Sequence, residues 1–174
     1  MKFIAAVGVL AGRRHRIEKG DVRMYRAMTI AKWFIAWAEV TDDELSNMKL
    51  QKLLYYAQGH YLARHHAPLF EDPIQAWSHG PVVPKVYRAF KDFGSAAIEL
   101  PDDDPFAWGD VDPETTDFLG KTWNTYGGFS AGRLRNMTHD ELPWRKNWSG
   151  GDRGDADIAL NDLEHHFAQF EAVS

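Results

Sequence analysis

From Ile30 the apolar residues Ile30, Trp33, Phe34, Trp37 and Ala38 recur every three or four positions, the stripe that a helix turns toward a core. The acceptors Thr41-Asp42-Asp43-Glu44 interrupt that pattern, and Ser46 is a further N-cap candidate for a second helix. In the run SNMKLQKLLYYAQGHYLARH, residues Leu50, Leu53, Leu54, Ala57, Tyr61 and Leu62 share one face, with Lys49, Gln51 and Lys52 mostly off it. This second helix is predicted to be the central one. Gly59 within it lowers helix propensity, which suits either a tolerated surface glycine or the close approach of another backbone.

Pro68 and Pro73 disfavour a helix between Pro68 and Ser78, and Ile74-Gln75-Ala76-Trp77 reads as one short strand or extended segment. Pro84 suits the first turn of a third helix, Val86, Tyr87 and Phe90 repeat at helical spacing, and Gly94 can end it, so this helix is predicted from Pro84 to Phe93. The acidic, proline-containing stretch from Glu99 to Asp110 reads as a surface loop between two halves of one domain. Asp112-Pro113 opens a fourth helix carrying Phe118, Leu119, Thr122, Trp123 and Tyr126, and Gly127-Gly128 closes it. Ser130 caps a short fifth helix with Leu134 and Met137. Thr138 to Trp148 reads as irregular and aromatic-rich, SGGDRGDAD as a connector, and a last helix is predicted from near Asp157, with Ile158, Leu163, Phe167 and Phe170 docking back. The predicted fold is mainly α, a compact single-domain bundle of about six helices with one short extended segment near 74–77.

Composition narrows the function classes. The 174 residues are 44% hydrophobic, enough apolar material for one core. Met24 and Met28 stand just before the first amphipathic segment, so the domain is expected to span 27–174, with 1–26 an N-terminal extension or misassigned start. Phe3 to Leu10, FIAAVGVL, resembles the apolar part of a signal peptide, but one lysine precedes it and Arg13-Arg14 follow closely. No stretch approaches the roughly 20 apolar residues that span a bilayer. A formal charge of −5 argues against nucleic acid as a partner, because polyphosphate binding needs a basic face that releases counterions. The absence of cysteine excludes disulfides, thiolate chemistry and Cys-ligated metals, and is compatible with the cytoplasm, where the protein is expected.

Eight histidines invite a metal or general-base reading. The pairs His65-His66 and His165-His166 are neighbours, which point about 100° apart on a helix and do not chelate by themselves, and no HExxH occurs. Solvated helix-end histidines are the expectation there, and no metal or cofactor is implied. His79 and His139 each stand close to a tryptophan and a proline, and together form a candidate polar notch. A hydrolase would use His139 as base with Asp140 or Glu141 orienting it, yet Ser78 lacks a nucleophile elbow and no Gly-rich phosphate loop is present. The residues favour a structural role, with His79 and His139 hydrogen-bonding backbone groups freed by nearby prolines, an elbow rather than a base. Trp77, Trp108, Trp144 and Trp148 lie in irregular or extended segments, where aromatic residues serve either a core or an interface.

Three segments together carry a resemblance. They are LQKLLYYAQG from Leu50 to Gly59 followed by Pro68-Leu69-Phe70, then AWSHGPVVPKVY from Ala76 to Tyr87, and THDELPW from Thr138 to Trp144. In order and spacing they resemble the Panacea-domain family, the SocA-like antitoxins that include phage-associated GepA-like proteins. The histidine at 79 departs from the aromatic residue usual at that place in the motif. The resemblance implies a mainly helical antitoxin, not an enzyme, that neutralises a toxin by direct contact, its partner being the product of an adjacent gene. Delivery of the toxin to a ClpXP-type protease is the alternative that the resemblance implies. Tyr55, Tyr56, Trp77, His79, His139, Trp144 and Trp148 are the candidate partner-binding residues.

Overall fold

The computed structural model describes residues 23–150 and 156–171. The signal-like segment Phe3–Leu10 and residues 1–22 of the expected extension lie outside the described residues. Two long helices lead the chain, α1 (Ala27–Val40) and α2 (Asn47–His65), the second capped by Ser46, whose Oγ accepts from Lys49 N at 3.4 Å. Its other end closes on His66 in the left-handed conformation, with φ 54°. A hairpin follows, β1 (Gln75–Trp77) and β2 (Gly80–Val82), then α3 (Pro84–Phe90), continued by a 3-10 turn over Lys91–Phe93. Next come α4 (Pro113–Tyr126), α5 (Ala131–Asp140), α6 (Leu142–Asn147), β3 (Ala156–Asp157) and α7 (Leu160–Glu171).

Packing makes α2 the axis: it meets α1, α3, α4, α5, α7 and β2. Its predicted apolar face is buried as expected, but so is much of the face carrying Gln51, Lys52 and Gln58, each 1% exposed or less. A helix wrapped on all sides has no outer face, so polar residues there must find partners inside. Gly59 marks a close approach, though of a ring rather than a backbone. A Cβ placed on it would lie 2.2 Å from Cδ2 and Cε2 of Phe167 on α7.

Three local differences separate the fold from the pattern-based reading. The extended segment is the central strand of a small antiparallel sheet ordered β2-β1-β3, with Trp77 opposite Gly80 and Gln75 opposite Asp157. Because Ala156 and Asp157 are committed to that pairing, the last helix starts at Leu160 rather than near Asp157. The segment predicted to be irregular is helical on both sides of Glu141, whose extended backbone (φ −88°, ψ 141°) separates α5 from α6. Pro143 stands in the first turn of α6, where a missing N–H costs nothing. Among the described residues the α-helices therefore number seven rather than about six.

Tyr25, placed in the expected extension, belongs to the core at 5% exposure. Its N–H donates to Leu69 O at 2.8 Å, its carbonyl accepts from Glu71 N at 3.1 Å, and its hydroxyl donates to the Asp112 carboxylate that caps α4. Trp33 and Trp37 stack at 5.1 Å, and the half-exposed Trp108 meets both edge-on.

Candidate functional site

The buried polar residues of α2 hold the segments that pack around it. Gln58 accepts from Leu69 N at 2.9 Å and Phe70 N at 3.2 Å, and donates to Phe70 O at 2.9 Å, locking the Pro68-Leu69-Phe70 turn. Gln51 accepts from Val83 N at 2.9 Å and donates to Asn47 Oδ1, while Asn47 donates to Tyr87 O at 3.0 Å. Lys52 Nζ donates to Pro81 O at 3.0 Å. The GPVVP segment is thus fixed by one helix face that satisfies its buried backbone groups. Gly80 is needed there because its φ of +100° is unfavourable for other residues, and a Cβ would sit 2.8 Å from Thr138 Oγ1 and Lys52 Cε.

That arrangement corrects the expected elbow. His79 is exposed in the turn between β1 and β2, and its side chain makes no hydrogen bond among the described residues. His139 stacks on Trp144, with centroids 3.9 Å apart and planes 4° from parallel, and its buried Nε2 has no hydrogen-bond partner. The GPVVP segment is served instead by Gln51 and Lys52, residues that periodicity alone placed mostly off the apolar face.

Tyr55 and Tyr56, expected at a partner surface, are corrected as well: they are 0% and 1% exposed. Their hydroxyls donate to the two carboxylate oxygens of Glu141 at 2.7 Å and 2.9 Å, and His166 Nε2 lies 3.7 Å from it. Burial holds the Glu141 carboxyl above its usual range even against those two donors, and pushes both phenols up. A carboxylate occupied in this way does not orient His139. One member of each adjacent histidine pair is less solvated than expected, since His65 stacks on Tyr61 at 4.2 Å and His166 borders Glu141, while His66 and His165 are exposed.

The remaining predicted residues do come together. Trp144 Nε1 donates to Trp77 O at 2.8 Å, and Trp148 stacks on Trp144 at 5.7 Å. Trp77 meets Tyr87 edge-on at 5.1 Å. Beside them opens a cavity of about 500 Å³ whose walls include Met48, Lys52, Trp77, His79, Tyr87 and Lys91. Tyr87, Met48 and Lys91 went unselected in the sequence. The signal for Tyr87 was its place on the outer side of a short helix, which exposes it by 36%.

Burial lowers the Lys52 ammonium to about 7, and the charge of Arg135 adds to the effect. The folded value lies below the unfolded one, so the unfolded chain holds more protons between about pH 7 and pH 10.4, and stability rises with pH across that window. Lys49 is shifted in the same direction, so comparison with Lys52→Met isolates the buried group. Denaturant titrations at about pH 7 and pH 9 are expected to show a gain in the parent larger than in the variant by about 1–2 kcal/mol. Equal gains would mean that Lys52 is charged in the fold throughout.

A domain wound round one buried helix that clamps two loops and α3, with no helix among the described residues long and apolar enough to cross a membrane and no metal-holding cluster among them, defines a small, mainly helical class. The family described as antitoxin SocA-like, Panacea domain, matches residues 50–145, and the chain belongs to that family. It is 39% identical over 78 residues to antitoxin SocA of Caulobacter vibrioides, an alignment covering 45% of this chain and 42% of that protein. The chain thus spans less than half the length of the curated relative that it matches. No solved structure matches it significantly. The matched region includes Gln51, Lys52 and Gln58 of α2 and reaches Trp144.

Proposed function

We propose that this protein acts in the cytoplasm as the antitoxin of a toxin–antitoxin pair, and that it neutralises the product of an adjacent gene by binding it directly rather than by catalysis. Family membership across residues 50–145 is the observation that carries the reading. The binding face is the rim formed by Trp77, Ser78, His79 and Tyr87, backed by Trp144 and Trp148 and flanked by Met48. This rim supports the reading because it combines half-exposed aromatic rings with a concave surface, the composition of an interface anchor. His139 contributes by holding the Trp144 plane, and Tyr55 and Tyr56 by holding Glu141 beneath it.

The test is growth of a host in which the neighbouring open reading frame is induced with and without this protein, followed by co-purification. Rescue with a stable complex is expected. Tyr87→Ala is then expected to weaken the complex by at least 2 kcal/mol, about thirtyfold, as truncation of a central aromatic anchor does. Rescue that persists without a complex, and depends on an intact ClpXP-type protease, would assign the protein to proteolytic delivery. A harmless neighbour would overturn the pairing with the adjacent gene.

A further inference from the structure

The cavity beside Trp77 has a charge that the rest of the chain does not. Acidic residues outnumber Lys and Arg by 25 to 20, yet its walls carry Lys52, His79 and Lys91 and no carboxylate. Lys52 is the innermost of these, 1% exposed, and Nζ makes one hydrogen bond, to Pro81 O, with its three donors. Arg135 lies close enough to repel it. A buried ammonium with unmet donors beside a like charge is costly, and an anion in the cavity relieves both costs at once.

Backbone geometry adds to the same field. The first turn of α2, with Asn47 and Met48, and Ala131, the first residue of α5, border the cavity, so two helices present their positive ends to it. Met48, Trp77, Val82 and Tyr87 supply apolar wall beside the polar residues. A volume of about 500 Å³ is within the range of sites for small organic molecules. Inorganic phosphate would meet the charge but leave the apolar walls uncovered, whereas an uncharged aromatic compound would cover the walls but leave the donors unmet.

We propose that this cavity is a binding site for an organic carboxylate, an anionic head carried on an apolar body. The inference stands without the antitoxin reading, since it concerns the isolated chain. Such a carboxylate comes either from a free small molecule or from the C-terminal residue of a protein, and both present the same group to Lys52 and Lys91.

Calorimetric titration of the full chain with N-acetyl-phenylalanine, N-acetyl-phenylalanine amide and inorganic phosphate tests it. One-to-one binding of the acid is expected, with the amide and phosphate each at least about tenfold weaker. Lys91→Glu puts a carboxylate on the exposed rim, where folding is not at stake, and is expected to weaken the acid by about tenfold. Lys52→Met is expected to do the same or more, provided its circular dichroism spectrum matches the parent. A peptide ending in phenylalanine that binds at least about tenfold more tightly than the single residue assigns a protein source, and equal binding a free small molecule. The proposal is overturned if the acid does not bind, if acid and amide bind alike, or if Lys91→Glu changes nothing. None of these outcomes bears on whether the chain rescues growth.

Discussion

Replacing Gly59 with alanine is expected to destabilise the fold by about 2 kcal/mol, although the same change in an exposed helix would stabilise it. Two effects compete. Alanine gains about 1 kcal/mol of helix propensity over glycine. Against that, the new methyl would stand 2.2 Å from two atoms of the Phe167 ring, far inside contact distance. Phe167 is 1% exposed and wedged edge-on between Tyr55 at 5.5 Å and His60 at 4.7 Å, so the ring has nowhere to retreat without moving its neighbours. Overpacking of this kind costs about 3 kcal/mol at the upper end of its usual range, and it wins. Urea midpoints measure the result. Phe167→Leu should remove part of the clash, so the double variant should lose less than the sum of the singles, and strict additivity would show that the two residues are not in conflict.

Glu141→Ala is the second large effect, an expected loss of about 2–4 kcal/mol. The carboxylate is held between the Tyr55 and Tyr56 hydroxyls, both in the interior. Its removal strands two buried phenols, each costing about 1–3 kcal/mol, while relief from burying the carboxyl offsets part of the loss. A control separates stranded donors from lost packing. The triple variant Tyr55→Phe, Tyr56→Phe, Glu141→Leu removes all three polar groups together and should be more stable than Glu141→Ala alone. If the triple variant is the weaker, the network stabilises by its own hydrogen bonds. The same position joins α5 to α6, so loosening it should also loosen the Trp144 stack on which the proposed binding face rests.

Much of the helical framework was legible along the chain. Ser46, Asp112 and Ser130 cap their helices as read, because a cap depends on an oxygen and an N–H two or three residues away. The stripes of α1 and α4 face inward as read, and so do Leu163 and Phe167 of α7. The short helix after Glu141 was missed because Pro143 and the turn residues before it resemble a loop, and nothing local says that the chain resumes a helix there. The third strand was missed because two residues carry no periodicity, and Ala156 and Asp157 become a strand only by pairing with Gln75 and Ala76.

The candidate site divides in the same way. Of the four tryptophans read in irregular or extended segments, Trp77, Trp144 and Trp148 assemble, while Trp108 packs on Trp33 and Trp37. Tyr55 and Tyr56 looked like an aromatic surface pair, since their composition is the same whether they face water or a buried carboxylate. Gln51 and Lys52 looked like an outer face because polar residues usually point to solvent. The sequence by itself determined most of the helices, the caps at Ser46, Asp112 and Ser130, and the family, since each rests on residues within a few positions of one another or on an ordered motif. Only the tertiary structure decided that α2 is enclosed on every side, and hence that its polar residues are internal clamps and that a basic cavity opens beside Trp77. Burial is set by what packs against a residue from far along the chain, and one helix's pattern does not contain that.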